Sequence, residues 1–398
     1  MEKRYIEKKE VSPESIVFPL LFFGFFAILA TKMGLANEIN TIMNTAYDLL
    51  VNTVLYIAAV CVVMGAVSEL LVEFGFVALA NKILKHLMKP VFGLPGAASL
   101  GVLATFLSDN PAILTLAENP RFKQYFKAYQ FPALTNLGTS FGMGLIVCTY
   151  MLSLTTVTGT NYAPAVGVGL IGATIGAVVS TRTMMGFTAK KYGKELSAKE
   201  AFPSANLDDQ VEAADGMRLV RPGDIGNRAL GAILEGGASG VKLGMSIIPG
   251  VLIICTIIML LMNGPAESGE YTGAAFEGVR FIPYVADKLN FILEPLFGFS
   301  TADSIGVPLT ALGAAGAALG LTSTLANKWM VTPGDIAVFT AICMCWSGYL
   351  STHTSMMDAL KCKELTGKSI LSHTIGGLVA GISAHWIYVL IAAVFQLQ

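Results

Sequence analysis

A short apolar segment with an interruption at its centre occurs twice in this chain, and nothing else in the sequence restricts the fold as strongly. From Pro90 to Leu107 the chain is almost wholly apolar, Ser108-Asp109-Asn110-Pro111 interrupts it, and a second apolar arm follows from Ala112 to Pro120. Each arm holds about ten residues, half of the ~20 that an α-helix needs to cross a bilayer. The pair therefore reads as a re-entrant helical hairpin. At an offset of 205 residues the pattern returns. Pro295-Leu-Phe-Gly aligns with Pro90-Val-Phe-Gly and continues without a gap to Leu312, and Ser108-Asp109-Asn110-Pro111 falls on Gly313-Ala314-Ala315-Gly316. Paired, interrupted apolar segments in corresponding places of two halves point to the binding site of a secondary transporter.

Composition supplies the medium. Of 398 residues, 54% are hydrophobic and only 13% charged, where soluble domains carry about 25% charged residues; the chain is an integral membrane protein. A net charge of -1 gives no basis for a nucleic-acid partner. The six cysteines (Cys61, Cys148, Cys255, Cys343, Cys345, Cys362) lie mostly inside apolar runs, without zinc-type or disulfide spacing, and read as packing residues. P-loop, HExxH and GxSxG motifs are absent, so nothing marks an enzyme or an ATP-driven pump. No cofactor is expected beyond a coupling Na+ or H+.

Four regions follow in order. Residues 1–48 hold a cytoplasmic tail and a first membrane helix over 15–35, with no cleavage site after it. Residues 49–185 form a first repeat, with spans over 49–71, 132–157 and 165–185 and the hairpin near 95–118. Residues 186–228 are a hydrophilic cytoplasmic linker. Residues 229–398 form a second repeat, with spans over 243–262, 333–350 (continuing toward 357) and 369–395 and the second hairpin near 300–326. Amphipathic stretches at 74–89 and 281–293 precede the hairpins and suit the membrane interface. The expected fold is an all-α polytopic membrane protein of two inverted repeats, each with a re-entrant hairpin and a following polar helix that can break.

Basic residues set the orientation. With the N-terminus cytoplasmic and each hairpin entering and leaving on one side, 22 of the 26 Lys and Arg residues are cytoplasmic; only Lys32, Arg280, Lys288 and Lys328 fall outside. The first hairpin then dips in from the cytoplasm, the second from outside, and the C-terminus lies outside. The expected location is the cell's inner membrane.

A hairpin tip at mid-bilayer leaves backbone groups without helical partners, which is tolerable where they line a cavity or meet a ligand. Asp109 is a candidate for solute or coupling-ion binding, because a carboxylate at membrane depth costs a few kcal/mol unless paired or hydrated; with Asn110 it also suits a helix cap. Gly313 and Gly316 would let backbone approach a solute. Asn136, Thr139 and Ser140 share one helical face, as do Ser347, Ser351 and Thr354. Such stripes can bind a neutral polar solute or hold helices together. His353 could carry a coupling proton.

The run Phe106-Leu-Ser-Asp-Asn-Pro-Ala-Ile-Leu-Thr-Leu-Ala resembles the hairpin of the nucleoside-recognition, or Gate, membrane family, and Ala232-Ile-Leu-Glu-Gly-Gly-Ala-Ser-Gly-Val-Lys-Leu is similar to the segment before a core helix in concentrative nucleoside transporters. That family is similar to the concentrative nucleoside transporters and to the membrane part of the ferrous-iron permease. The resemblance implies two inverted repeats around a central solute site, Na+ or H+ coupling (symport), and a homo-oligomer, often a trimer. The first tip lacks the nucleoside transporters' Gly-Gln-Thr-Glu signature and the second lacks its acidic partner; the iron permease's tip Cys and GTPase domain are missing too. The expected function is ion-coupled transport of a small polar organic solute such as a nucleoside, amino acid or peptide-like compound, by alternating access. The alternatives are a divalent metal-ion permease using Asp109, His353 and Cys345, and a non-transporting assembly or signalling protein.

Overall fold

In hydrocarbon each backbone N–H and C=O must find a partner inside the chain, and helices satisfy them segment by segment. The computed structural model describes residues 8–110, 112–118, 120–202, 220–266, 268–328 and 330–395, which contain helices and no β-strand. Six helices among the described residues are long and apolar enough to cross a membrane. The chain is an all-α polytopic membrane protein.

In chain order, α1 (Glu14–Met33) meets α2 (Leu35–Glu73) at Gly34, followed by amphipathic α3 (Phe76–Leu87), the short α4 (Ala98–Leu107) and α5 (Ala112–Glu118), then α6 (Ala133–Thr139), α7 (Gly144–Ser153) and the long α8 (Ala163–Tyr192). Beyond the linker come α9 (Ile225–Met262), α10 (Phe281–Phe297), α11 (Gly306–Gly313), α12 (Ala315–Asn327), α13 (Pro333–Cys345), α14 (Tyr349–Ala359) and α15 (Thr366–Phe395). The series α2 to α8 thus recurs, element for element, as α9 to α15. The opening helices, 39 and 38 residues long, each contain a π turn, at Leu49–Val54 and Val251–Cys255. The closing helices have 30 residues each. The helix expected over 165–185 extends to Tyr192, with Lys190 and Lys191 in its last turn, where the helix dipole favours cations.

Equivalent helices pack antiparallel. Along α2 and α9, Gly244 faces Ala58, Gly240 faces Cys61 and Gly236 faces Gly65. Along α8 and α15, Gly172 faces Ala380 and Ala384, and Gly176 faces Gly376 and Ala380. At Gly240 a Cβ would overlap the Cys61 carbonyl, so this seam closes only on glycine. The first and the last long helices of the two halves thus pack as antiparallel pairs.

One end of the α2–α9 seam is fastened by charge. Buried Glu73 accepts from Arg221 Nη1 (2.8 Å) and Arg228 Nε (2.7 Å), and Arg221 also reaches Glu69 (3.3 Å) and Glu235 (2.5 Å). Hydrogen bonding, to Glu235 first and then to Glu73 and Glu69, pushes the Arg221 guanidinium above its ordinary range. These bonds tie the end of the linker to the first helix of each half.

Candidate functional site at the converging helix breaks

Both hairpin tips expected from the sequence coincide with helix breaks. α4 stops at Leu107 and α5 starts at Ala112. Between them Asp109 accepts the Asn110 N–H on Oδ1 (2.7 Å), and its carbonyl accepts the Ala112 N–H (3.0 Å). Pro111 lies outside the described residues. In the second hairpin the break is the single extended residue Ala314 (φ -158°, ψ 120°), flanked by Gly313 and Ala315. Gly313 packs against Ile254 and Gly316 against Ile247, both on α9.

The polar helices that follow are broken as well, and at matched positions. α6 and α7 are separated by a turn ending at Met143 (φ 54°), α13 and α14 by one ending at Gly348 (φ 62°). These two left-handed residues are 205 apart, the offset that relates the hairpins. A non-glycine residue there costs about 1–2 kcal/mol, so Met143 is held by its surroundings. Ser140 and Cys345, also 205 apart, touch each other, Oγ to Sγ, at 3.8 Å.

The first hairpin docks on the second broken helix. Asn110, 1% exposed, donates from Nδ2 to the Ser347 carbonyl (2.6 Å). Its Oδ1 lies so close to Gly142 that a Cβ there would overlap it. The second hairpin reaches the same break, because the Gly348 N–H donates to the Ala311 carbonyl (3.1 Å). Carbonyls orphaned by the break are thereby capped from elsewhere in the fold, as burial requires.

A third cap comes from His373, which the sequence reading missed. His373 Nε2 bonds the Cys345 carbonyl, and its Nδ1 lies 2.9 Å from Ser180 Oγ. The carbonyl can only accept, so Nε2 carries the proton and Nδ1 accepts from Ser180. Asn136 donates to Ser180 Oγ (3.0 Å) and to the Ser369 carbonyl (3.0 Å), and accepts from Ser369 Oγ (2.8 Å). All of these residues are fully buried. The amide of Asn136 is thus committed to α8 and α15. Thr139 contacts Met356 Sδ, and Ser140 back-bonds to the Asn136 carbonyl (2.8 Å). Thr354 is exposed, and the side chain of Ser351 lies outside the described residues. The polar spacing Ser369-x-x-Ser372-His373 within an apolar helix was the signal for this network.

Buried polar atoms without hydrogen-bond partners concentrate on the same elements. Among the described residues nine such atoms occur, and five belong here: Asn110 Oδ1, Thr135 Oγ1, Thr181 Oγ1 and both ring nitrogens of His353. His353 is 0% exposed, its ring centroid 4.6 Å from that of His373 and 5.6 Å from that of Tyr349. Among the described residues neither ring nitrogen has a hydrogen-bond partner. Each unpartnered buried group costs about 1–3 kcal/mol.

On the other side of the first tip lies a cleft of about 110 Å³ between hairpin, α2 and α9. Ser68 and Glu69 of α2, Ser108 of the hairpin and Ser239 of α9 supply its polar lining. Ser68 is 9% exposed, and Cys61 also lines the cleft. The sequence carries these residues in two small-residue runs, Gly65-Ala-Val-Ser68-Glu69 and Gly236-Gly-Ala-Ser239-Gly240. No group of three His, Cys, Asp or Glu side chains among the described residues could hold a metal ion.

Comparison with known proteins adds little to this geometry. No family model and no curated protein sequence matches the chain. Over 97% of its length it is similar to 85% of a solved chain described as "Structure of CNTnw in an inward-facing substrate-bound state", at 12% identity and a TM-score of 0.48.

Proposed function

We propose that this protein is an ion-coupled secondary transporter of a small polar organic solute, built as two inverted repeats and working by alternating access. The observation that carries the reading is the docking of Asn110 on the Ser347 carbonyl beside Gly142. It brings the first hairpin's break onto the breaks of both polar helices, among buried polar atoms that no protein group satisfies. Irregular backbone at membrane depth is tolerated where it meets a ligand or a water-filled cavity. The hydroxyl-lined cleft beside Asp109 gives a solute a place next to the moving tip. Asp109 and Asn110 orient solute or ion, and movement of the hairpin against the α2–α9 seam opens and closes the cleft. In this reading the N-terminus is cytoplasmic, the C-terminus is outside, and His353 is a candidate proton carrier.

The test is uptake into proteoliposomes of a panel of nucleosides, amino acids and short peptides under an imposed Na+ or H+ gradient. Gradient-dependent accumulation of one solute, lost in Asp109→Asn and Asn110→Ala variants that still purify as folded protein, is the expected result. Accumulation that survives both substitutions would remove the tip from the mechanism. Failure of every solute to accumulate or to stabilise the purified protein would remove the transporter.

A further inference from the structure

Three of the remaining unpartnered atoms sit together, far in sequence from the breaks. Glu38 is 1% exposed and Thr41 0% exposed, and neither carboxylate oxygen of Glu38 nor Oγ1 of Thr41 has a hydrogen-bond partner. The two residues lie one turn apart on the buried face of α2, with Thr45 a turn further on. Buried helical threonines elsewhere, Thr105, Thr310, Thr322 and Thr340, return their hydroxyl to the carbonyl four residues back. Thr41 does not, which leaves its oxygen free beside a carboxylate.

The loop over 271–276 covers this face and is fixed to it. Asn37 Nδ2 donates to the Tyr271 carbonyl (2.8 Å), Asn44 Nδ2 to the Gly273 carbonyl (2.8 Å), and the Phe276 N–H to Thr45 Oγ1 (2.8 Å). Among the described residues no ion pair to Glu38 occurs. Lys32, at the end of α1, is exposed, and Arg280 pairs with Asp303 (3.5 Å). Glu277 is held by the Thr272 hydroxyl and by the N–H groups of Thr272 and Gly273, and the Tyr271 hydroxyl donates to the Gly278 carbonyl. The segment of α9 that packs here, residues 256–262, contains no titratable side chain. A buried carboxylate without partners carries an uncompensated charge, a cost that a bound cation or proton removes.

We propose that Glu38 and Thr41 form a site for one small monovalent cation, Na+ or H+, roofed by the 271–276 loop. One carboxylate neutralises one charge, whereas divalent sites gather several carboxylates. Binding stands apart from the transporter reading; that the bound ion is the coupling ion rests on it.

The experiment compares purified wild-type protein with Glu38→Gln and Thr41→Val in NaCl and in choline chloride of equal ionic strength, from about pH 5 to about pH 9, where buried glutamates titrate. Melting temperature and the infrared carboxyl stretch are both read. The expected result is a rise of several degrees in Na+ over choline, with loss of a protonated carboxyl band, absent in Glu38→Gln and reduced in Thr41→Val. If H+ is the ligand, the band titrates with pH identically in both salts and disappears in Glu38→Gln. A band and melting temperature insensitive to both Na+ and pH, or a Na+ response that persists in Glu38→Gln, overturns the site. A protein that binds Na+ at Glu38 and accumulates no solute would sink the transporter and leave the site standing.

Discussion

At the first hairpin's break stand Ser108, Asp109 and Asn110; at the second, 205 residues on, Ala314 stands between Gly313 and Ala315. The backbone is interrupted at the same place in both, yet only the first break carries side chains that reach out. The broken helices differ in the same way. Gly142 and Ser347 occupy equivalent positions, and Asn110 needs the missing side chain of one and the carbonyl of the other. The halves keep their breaks in register and place the reaching side chains on one side. A duplicated fold can do this because helix interruption depends on backbone conformation, while ligand contact depends on a few side chains.

The largest expected effect separates the two equivalent positions. Gly142→Ala places a Cβ on the Asn110 amide oxygen, which should cost about 1–3 kcal/mol and abolish uptake, while Ser347→Ala leaves the accepting carbonyl in place and should stay within about 1 kcal/mol. Thermal unfolding in detergent and uptake assays check both. Equal effects would mean that the docking contact is not what distinguishes the halves.

The left-handed residues give a second contrast, of cause and not of sign. Gly348→Ala should destabilise by about 1–2 kcal/mol, because its φ is 62° and a Cβ there would lie 3.2 Å from the Gly313 carbonyl. Met143→Gly should also destabilise, by about 1–3 kcal/mol, because Met143 is buried in the core and losing its side chain outweighs the relief of strain. Chemical or thermal unfolding of the two variants reads the difference.

The smallest effect concerns a connection that only one half elaborates. Phe74 and Gly75 join α2 to α3, whereas residues 263–280 join α9 to α10. Burial of Glu277 works to raise its pKa, but the Thr272 hydroxyl and the N–H groups of Thr272, Gly273 and Ala274 hold it below the usual carboxylate range. A depressed carboxylate stabilises the fold above its unfolded value and loses that contribution as pH falls through the folded one. Melting temperature should therefore fall on acidification below about pH 4.3, and fall less in Glu277→Gln.

Much of this was legible in the sequence because membranes punish irregular backbone. Two half-length apolar arms around Ser108-Asp109-Asn110 can hardly be anything but a broken segment, and the fixed offset located the second break at Ala314 without a polar residue to mark it. Gly138, Gly142 and Gly144 crowd the stretch where the first polar helix breaks. The π turns left no compositional trace, since they change hydrogen-bond register within uniformly apolar runs. His373 hid in an apolar helix whose polar spacing becomes visible only once α8 and α13 supply Ser180 and the Cys345 carbonyl. Asn136 illustrates the reverse. Its stripe matched a solute-binding face, yet packing brought Ser180 and Ser369 within reach and used up its amide. Glu38 fell in the stretch between two expected spans, and its burial depends on a loop more than two hundred residues away.

The account depends most on the two hairpins entering the membrane from opposite faces. In a background lacking the six native cysteines, single cysteines at exposed Lys85 and Gln124 flank the first hairpin, and at exposed Lys288 and Asn327 the second. Labelling of intact cells with a membrane-impermeant maleimide should modify the second pair and spare the first until the cells are opened. Labelling of both pairs from one face, or of the two flanks of one hairpin from opposite faces, would contradict it.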